Sequence, residues 1–215
     1  MKAINVDERD SQDLETLGRA SLQVVHDIKN QINGLKLYAT FLRRRMERDE
    51  RPADERETLA KLIQGLDRTA EDAGLIVRFA RPLETRRHPV DLRIALRGLV
   101  KQAETAAPLN GEFDAQLLTE AIRLIVAGIA AFTKVDNEKV PTPDMRIENN
   151  GVAPPRAVIE WTDIQLPHDD GESLFHSLMG SGGLRFALAA KIIEAHDGTV
   201  DHDRQSLRVR LPLNL

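Results

Sequence analysis

The sequence contains no cysteine, few aromatic residues and little net charge. Without cysteine there can be no disulfide, no thiol catalysis and no cysteine-based zinc site. Aromatic residues make up 4% of the chain, so its core must be built mainly from Leu, Ile, Val and Ala, which suits packed helices. A net charge of −4 gives no indication of nucleic-acid binding. The polar N-terminus and the lack of an apolar run of about 20 residues predict neither a signal peptide nor a membrane span. We therefore expect a soluble, cytoplasmic protein.

Residues 9–84 carry the pattern of two long helices. A polar turn around Pro52 separates them, and Pro82 ends the second. Spacings of three and four residues, typical of a coiled coil or helical bundle, relate the apolar or small residues of the first helix: Leu14, Leu17, Ser21, Val24, Ile28, Ile32, Leu35, Ala39, Leu42 and Met46. An antiparallel hairpin cannot bury both broad apolar stripes. We therefore predict a homodimer in which two hairpins form a four-helix bundle.

Residues 88–215 mix helical and strand patterns. The predicted helices are 90–101, 114–132 and 184–196, the last with Gly198 as a stop signal. The predicted strands are 156–162 and 206–213, and the proline-rich stretch 134–155 is predicted to be loop or short irregular strand. The predicted fold class is therefore α+β, an N-terminal helical hairpin followed by an α/β-sandwich domain.

His26 lies on the first predicted helix, about 200° around the axis from both Val24 and Ile28. It therefore points away from the apolar seam, on the same side as Asn30. An exposed imidazole is largely neutral at pH 7, and the neighbouring carboxylate of Asp27 could orient one ring nitrogen and leave the other free to attack phosphorus. By periodicity alone, a solvated surface histidine is the commoner explanation.

The segment 21–35, Ser-Leu-Gln-Val-Val-His-Asp-Ile-Lys-Asn-Gln-Ile-Asn-Gly-Leu, resembles the H-box of sensor histidine kinases. The resemblance implies that His26 is the phosphorylated histidine and that Asp27 is the acidic residue that assists attack. It also implies that Asn30 is the polar residue used when a phosphoryl group passes to or from a response regulator.

The second half resembles the ATP-binding domain of the same family. The similar segments are the asparagine-box helix at 114–133, the adenine-reading aspartate in Trp161-Thr162-Asp163, the phenylalanine segment Leu174-Phe175, and the second glycine box and its helix at 182–198. The candidate nucleotide-binding residues implied by this resemblance are Asp163, Gly182 and Gly183.

The departures from that family concern its nucleotide chemistry. Gly128 stands where the resemblance implies the asparagine that ligates Mg²⁺, and glycine has no side-chain oxygen for the metal. Residues 164–166 replace glycines expected after Asp163, and Arg185 replaces a glycine of the second box. The Gly180–Gly183 cluster could cradle a phosphate ahead of a helix or could simply be a tight turn. We expect no cofactor; ATP and Mg²⁺ would bind only if kinase activity is retained.

The function expected from this resemblance is phosphotransfer between His26 and the aspartate of a response-regulator receiver domain. A histidine phosphotransferase is favoured over an ATP-dependent sensor histidine kinase. A pseudokinase scaffold that binds a regulator without phosphoryl transfer is a further alternative. No metal site is predicted, because solvated turns explain the two small His/Asp clusters better than a metal does. Those clusters are His168, Asp169, Asp170 and His176, and His196, Asp197, His202 and Asp203.

Overall fold

The computed structural model describes residues 6–48, 53–101, 108–149, 154–166 and 180–214. It divides the chain into two compact units, Met1–Arg81 and Pro82–Leu215. Residues 167–179, which include Leu174, Phe175 and the cluster of His168, Asp169, Asp170 and His176, lie outside the described residues.

The first unit is a helical hairpin, in agreement with the apolar pattern of the sequence. Helix α1 spans Val6–Arg48 and helix α2 spans Ala53–Ala80. An ion pair joins Lys36 of α1 to Asp67 of α2 and fixes the antiparallel level of the two helices. Acidic residues in the first turn of α2 and Arg78 in its last turn suit the helix dipole.

The apolar seam of the hairpin divides into two sets of residues. Ile32 and Ala39 of α1 are buried within the hairpin, as are three residues of α2: Ile63, Ala73 and Val77. Residues spaced seven apart on both helices stay largely exposed: Ile28, Leu35 and Leu42 on α1, and Leu62, Thr69 and Ile76 on α2. A single hairpin therefore buries only part of its apolar surface.

The second unit is built on a four-stranded antiparallel sheet of order β3-β4-β6-β5. Its strands are β3 Asp144–Glu148, β4 Arg156–Trp161, β5 Thr199–His202 and β6 Leu207–Pro212. The central pair is in register from Arg156 opposite Pro212 to Trp161 opposite Leu207. Strands β4 and β6 confirm the two predicted strands, and alternate residues of β6 are buried, as its sequence pattern predicts.

Three helices belong to this unit, together with a short 3-10 turn at Asn137–Lys139. They are α3 Leu92–Ala95, α4 Ala115–Thr133 and α5 Gly180–Glu194. Helix α4 packs against α5, and the Asp114 carboxylate caps its start by accepting from the N–H groups of Gln116 and Leu117, both at 3.1 Å. Helix α4 is long and apolar enough to cross a membrane by length and composition alone, and seven of its residues are buried in this unit.

The prediction of a helix over 90–101 is wrong. Residues His88–Asp91 form β1, which pairs antiparallel with β2, Asn110–Phe113. Only Leu92–Ala95 is helical. Asp91 caps the start of this single turn, and its carboxylate also accepts from the Leu109 N–H at 3.2 Å. Gly98 then takes a φ of 80° and turns the chain away.

One further prediction needs correction. The stretch 134–155 contains the regular strand β3, paired with β4 over its full length, and not an irregular one. Gly198 follows the end of α5, as predicted, and Asp197 before it has left-handed backbone, at φ 57°. Glycine is needed at 198 because an added Cβ would lie 2.8 Å from the Arg210 carbonyl oxygen.

Candidate functional site

His26 lies on the exposed side of α1, with 46% of its side chain accessible. Its Nδ1 atom is 3.3 Å from the Asn30 amide nitrogen, one helical turn further on, and 3.6 Å from an Asp27 carboxylate oxygen. The three residues singled out by the sequence therefore meet at one ring nitrogen. Both contacts recorded for the His26 ring among the described residues are made by Nδ1.

The side of α1 that carries His26 also carries two large, exposed apolar side chains. Leu37 and Phe41 follow His26 by 11 and 15 residues, which places them on the same side of a helix. Their side chains are 69% and 66% exposed. The spacing of Leu37 and Phe41 is visible in the sequence, although their exposure is not. The face thus combines the His26 ring with exposed apolar side chains.

Asp163 lies just beyond β4, and its backbone has a left-handed φ of 58°. Its side chain is exposed, but the residues after it are drawn into the domain. Ile164 and Leu166 are buried, and their N–H groups donate to the carbonyl oxygens of Gln205 at 3.2 Å and Arg204 at 3.1 Å. The segment after Asp163 is therefore held by the protein's own backbone.

Gly182 and Gly183 are buried within the first turns of α5 and do not form a loop ahead of it. A Cβ added to Gly182 would lie 2.7 Å from the Phe132 ring. This corrects the expectation that the glycine cluster precedes the helix as a phosphate cradle or tight turn. Gly182 allows α5 to approach α4 closely, and no described contact joins it or Gly183 to Asp163.

Gly128 lies on the side of α4 that faces α5. A Cβ added there would lie 2.8 Å from Cε1 of Phe186, a fully buried residue of α5. Phe186 in turn stacks on Phe132, with ring centroids 5.6 Å apart and planes inclined by 8°. The ring of Phe186 therefore occupies the space beside the position that the resemblance assigns to a metal ligand, and Phe132 supports it from behind.

His196 is fully buried at the end of α5, contrary to its prediction as part of a solvated turn. Its Nδ1 donates to the Ile192 carbonyl oxygen at 2.7 Å, and its Nε2 accepts from the Asp114 N–H at 3.1 Å. Burial lowers the pKa of His196, and Arg87 nearby lowers it further. His196 is thus held neutral and connects the end of α5 to the start of α4.

The described residues contain no group of three or more His, Asp or Glu side chains that could hold a metal ion. Arg87 instead pairs with Asp197 and donates to the Ala195 carbonyl oxygen. The hydrogen bond and charge of Arg87 lower the pKa of Asp197. These contacts are structural and leave His26 as the candidate for chemistry.

No family model matches the sequence, and no curated protein matches it. Among solved structures, the chain is similar to the histidine kinase ShkA in its full-length complex with AMPPNP, with a TM-score of 0.63 and 16% identity. That match covers 90% of this chain and 46% of ShkA, so the chain spans less than half of ShkA's length.

Two further structures are similar at lower scores. One is the catalytic domain of the histidine kinase ThkA, with a TM-score of 0.41 and 14% identity; the match covers 60% of this chain and 96% of that domain. The other is a bacterial phosphotransferase, with a TM-score of 0.29 and 13% identity; the match covers 93% of this chain and 95% of that one. The fold of this chain, a helical hairpin followed by an antiparallel-sheet domain of the ATP-binding type, is that of the sensor histidine kinases.

Proposed function

We propose that this chain is a histidine phosphotransfer protein of two-component signalling, in which His26 exchanges a phosphoryl group with the aspartate of a response-regulator receiver domain. The observation that carries the proposal is the exposed imidazole of His26, with Asp27 and Asn30 both directed at its Nδ1.

The chemistry follows from the two ring nitrogens. A neutral imidazole has one N–H and one lone pair, and a carboxylate beside one nitrogen favours the proton there. With the proton on Nδ1 beside Asp27, the Nε2 lone pair is free to attack the phosphorus of an acyl phosphate. Because His26 is exposed, a docked protein can bring that phosphorus within reach.

The surroundings of His26 favour a protein as the phosphoryl donor. Leu37 and Phe41 share its face and are each about two-thirds exposed. Exposed aromatic and aliphatic side chains are typical of a protein-docking surface, and these lie about 16 and 22 Å along the helix from His26, within the span of a docked domain. A receiver domain that covers them would also shield the transfer from water.

The second unit favours an external source of phosphoryl groups over ATP. Gly128 offers no oxygen to Mg²⁺, and Phe186, stacked on Phe132, occupies the adjacent space. Ile164 and Leu166 are buried after Asp163, so this segment does not lie open for a nucleotide. In this proposal the domain keeps the kinase fold as a scaffold or docking surface.

The exposed heptad-spaced residues favour a homodimer. The Lys36–Asp67 pair places Ile28 near the level of Ile76 and Leu42 near that of Leu62, so both helices contribute to one apolar surface. A second hairpin applied to this surface gives the four-helix bundle expected from the sequence. His26 lies outside the surface and stays accessible, and we place the protein in the cytoplasm, where receiver domains act.

The test is label transfer from a panel of receiver domains that carry a radiolabelled aspartyl phosphate. The wild type should acquire label that survives alkali and is lost in acid, as expected for phosphohistidine, whereas His26→Ala should acquire none. His88→Ala serves as the matched control, because His88 is also exposed but lies in the other unit. Equal labelling of the wild type and His26→Ala would refute the proposal.

Incubation with labelled ATP and Mg²⁺ separates the alternatives. Strong labelling that depends on His26 would identify an atypical sensor histidine kinase. Receiver binding that survives His26→Ala, with no label transferred by the wild type, would identify a pseudokinase scaffold.

A further inference from the structure

Asp27 and Asn30 favour different protonation states of the same His26 atom, Nδ1. The Asn30 amide nitrogen, 3.3 Å from Nδ1, can only donate and therefore needs a lone pair on Nδ1. The Asp27 carboxylate, 3.6 Å from Nδ1, can only accept when ionised and therefore needs a proton there. The two side chains favour different tautomers of one ring.

The two tautomers belong to different stages of phosphotransfer. Attack by Nε2 requires its lone pair, and thus a proton on Nδ1. Once Nε2 is bonded to phosphorus, the neutral ring has its remaining lone pair on Nδ1. The donation from Asn30 that the structure contains therefore fits the phosphorylated ring, whereas the contact with Asp27 fits the attacking one.

We propose that Asn30 is a positioning residue that retains the phosphoryl group on His26 by donating a hydrogen bond to Nδ1 of the phosphorylated imidazole. This inference rests on the proposed function and assigns one step of it. Protonation of Nδ1 would turn the ring into a neutral leaving group, so a donor that occupies the Nδ1 lone pair slows both hydrolysis and premature transfer.

The forward step balances as follows. The Nε2 lone pair forms a bond to phosphorus, the bond from phosphorus to the receiver's carboxyl oxygen breaks, and the carboxylate leaves with the electron pair. The proton on Nδ1 passes to Asp27, and the Asn30 amide then donates to the vacated lone pair. Return transfer requires Asp27 to reprotonate Nδ1 and the Asn30 hydrogen bond to break.

Among the described residues, one charged side chain is recorded in contact with the His26 ring. Asp27 is the charged residue in contact with His26 on its own helix. The Lys36–Asp67 pair places His26 level with Val77 of α2, so Arg78 is the nearest charged residue of that helix along the chain. Within the described residues no contact joins Arg78 to His26. The pH dependence of the phosphorylated ring should therefore reflect Asp27 and Asn30.

The test uses the full chain and phosphoramidate, a chemical donor that phosphorylates histidine without ATP or a receiver. The phosphorus NMR signal that His26→Ala lacks belongs to residue 26, and its decay is followed from about pH 5 to pH 8. Asn30→Asp keeps the shape of the side chain but removes the donor. It should lose the phosphoryl group about tenfold faster at neutral pH, the factor that one ordinary hydrogen bond supplies, with the rate–pH profile moved to higher pH.

Asn33→Asp is the control, because it makes the same change at an exposed residue on the same face without a contact to His26. Identical rate–pH profiles for the wild type and Asn30→Asp, or an equal shift in Asn33→Asp, would overturn the assignment. Failure of receivers to label His26 would count against the proposed function alone, since phosphoramidate needs no receiver.

A second measurement covers the case in which phosphoramidate does not modify His26. Nitrogen NMR of the unmodified ring reports which nitrogen carries the proton. The proton should lie on Nε2 in a larger fraction of wild-type molecules than of Asn30→Asp molecules. An unchanged tautomer ratio would also overturn the role of Asn30.

Discussion

The close approach of α4 to α5 at Gly128 predicts an unusual response to the substitution Gly128→Ala. In a helix interior this change normally stabilises by about 1 kcal/mol, because alanine loses less backbone entropy on folding. Here the added Cβ would lie 2.8 Å from Cε1 of Phe186, well short of the 3.4 Å at which ordinary contact begins. Phe186 has little room to retreat, because it is fully buried and stacked on Phe132.

Overpacking of this kind costs about 1–3 kcal/mol. Set against the helical gain of about 1 kcal/mol, Gly128→Ala should lower the free energy of unfolding by between zero and about 2 kcal/mol. The substitution Phe186→Leu removes the ring atoms that the new Cβ would meet. In that background Gly128→Ala should recover the normal gain, so the two substitutions should be coupled by about 1–3 kcal/mol.

Urea unfolding followed by the fluorescence of Trp161 measures these differences. Trp161 is the single tryptophan, is fully buried and belongs to the same unit as Gly128, so its signal reports on this unit. Gly65→Ala in α2, where an added Cβ meets nothing within 4 Å, should show the unopposed gain when followed by circular dichroism. If Gly128→Ala stabilises the folded protein equally in both backgrounds, Phe186 does not fill the space beside Gly128. Packing would then no longer disfavour metal-dependent nucleotide binding there.

Two further predictions concern assembly and pH. Leu35→Asp should dissociate the proposed dimer, because Leu35 is 56% exposed on the proposed bundle surface. Leu37→Asp, on the His26 face, should leave the dimer intact. Sedimentation measures both, and dimers in both variants would contradict the bundle. Because the pKa of His196 is lowered from 6.5, folding favours its neutral form, so its stabilisation is complete above about pH 6.5 and is lost as the pH falls below that value. Urea unfolding should show a lower free energy of unfolding at about pH 5.5 than at about pH 7.5 in the wild type, and this difference should be absent from His196→Gln. An equal difference in both proteins would mean that other groups cause it.

The helical hairpin and the central strands could be predicted because their patterns are local. Spacings of three and four residues fix α1 and α2, and alternation fixes β6. Strand β1 could not be predicted, because its four residues pair with β2, about 20 residues later in the chain. The apolar run after Val90 resembles a helix until the turn at Asp91 and the bend at Gly98 are known.

The site was predictable to the extent that helical geometry determines it. Residues four apart meet on a helix, which is why Asn30 reaches His26. The sequence could not indicate that both neighbours of His26 would be directed at Nδ1, since that depends on side-chain conformation. Nor could it indicate that Phe186 lies over Gly128, because that contact joins helices almost 60 residues apart in the chain.

The edges of the four-stranded sheet bear on how copies of the chain can associate. One edge strand, β5, has only four residues, and the other, β3, carries Asp144, Arg146 and Glu148 and is partly covered where the Met145 N–H donates to Lys101. Short or charged edges resist pairing with another sheet, which would otherwise add copies without limit. The sheet therefore offers little for open-ended association, which leaves the exposed hairpin surface of the proposed dimer as the route by which copies would pair.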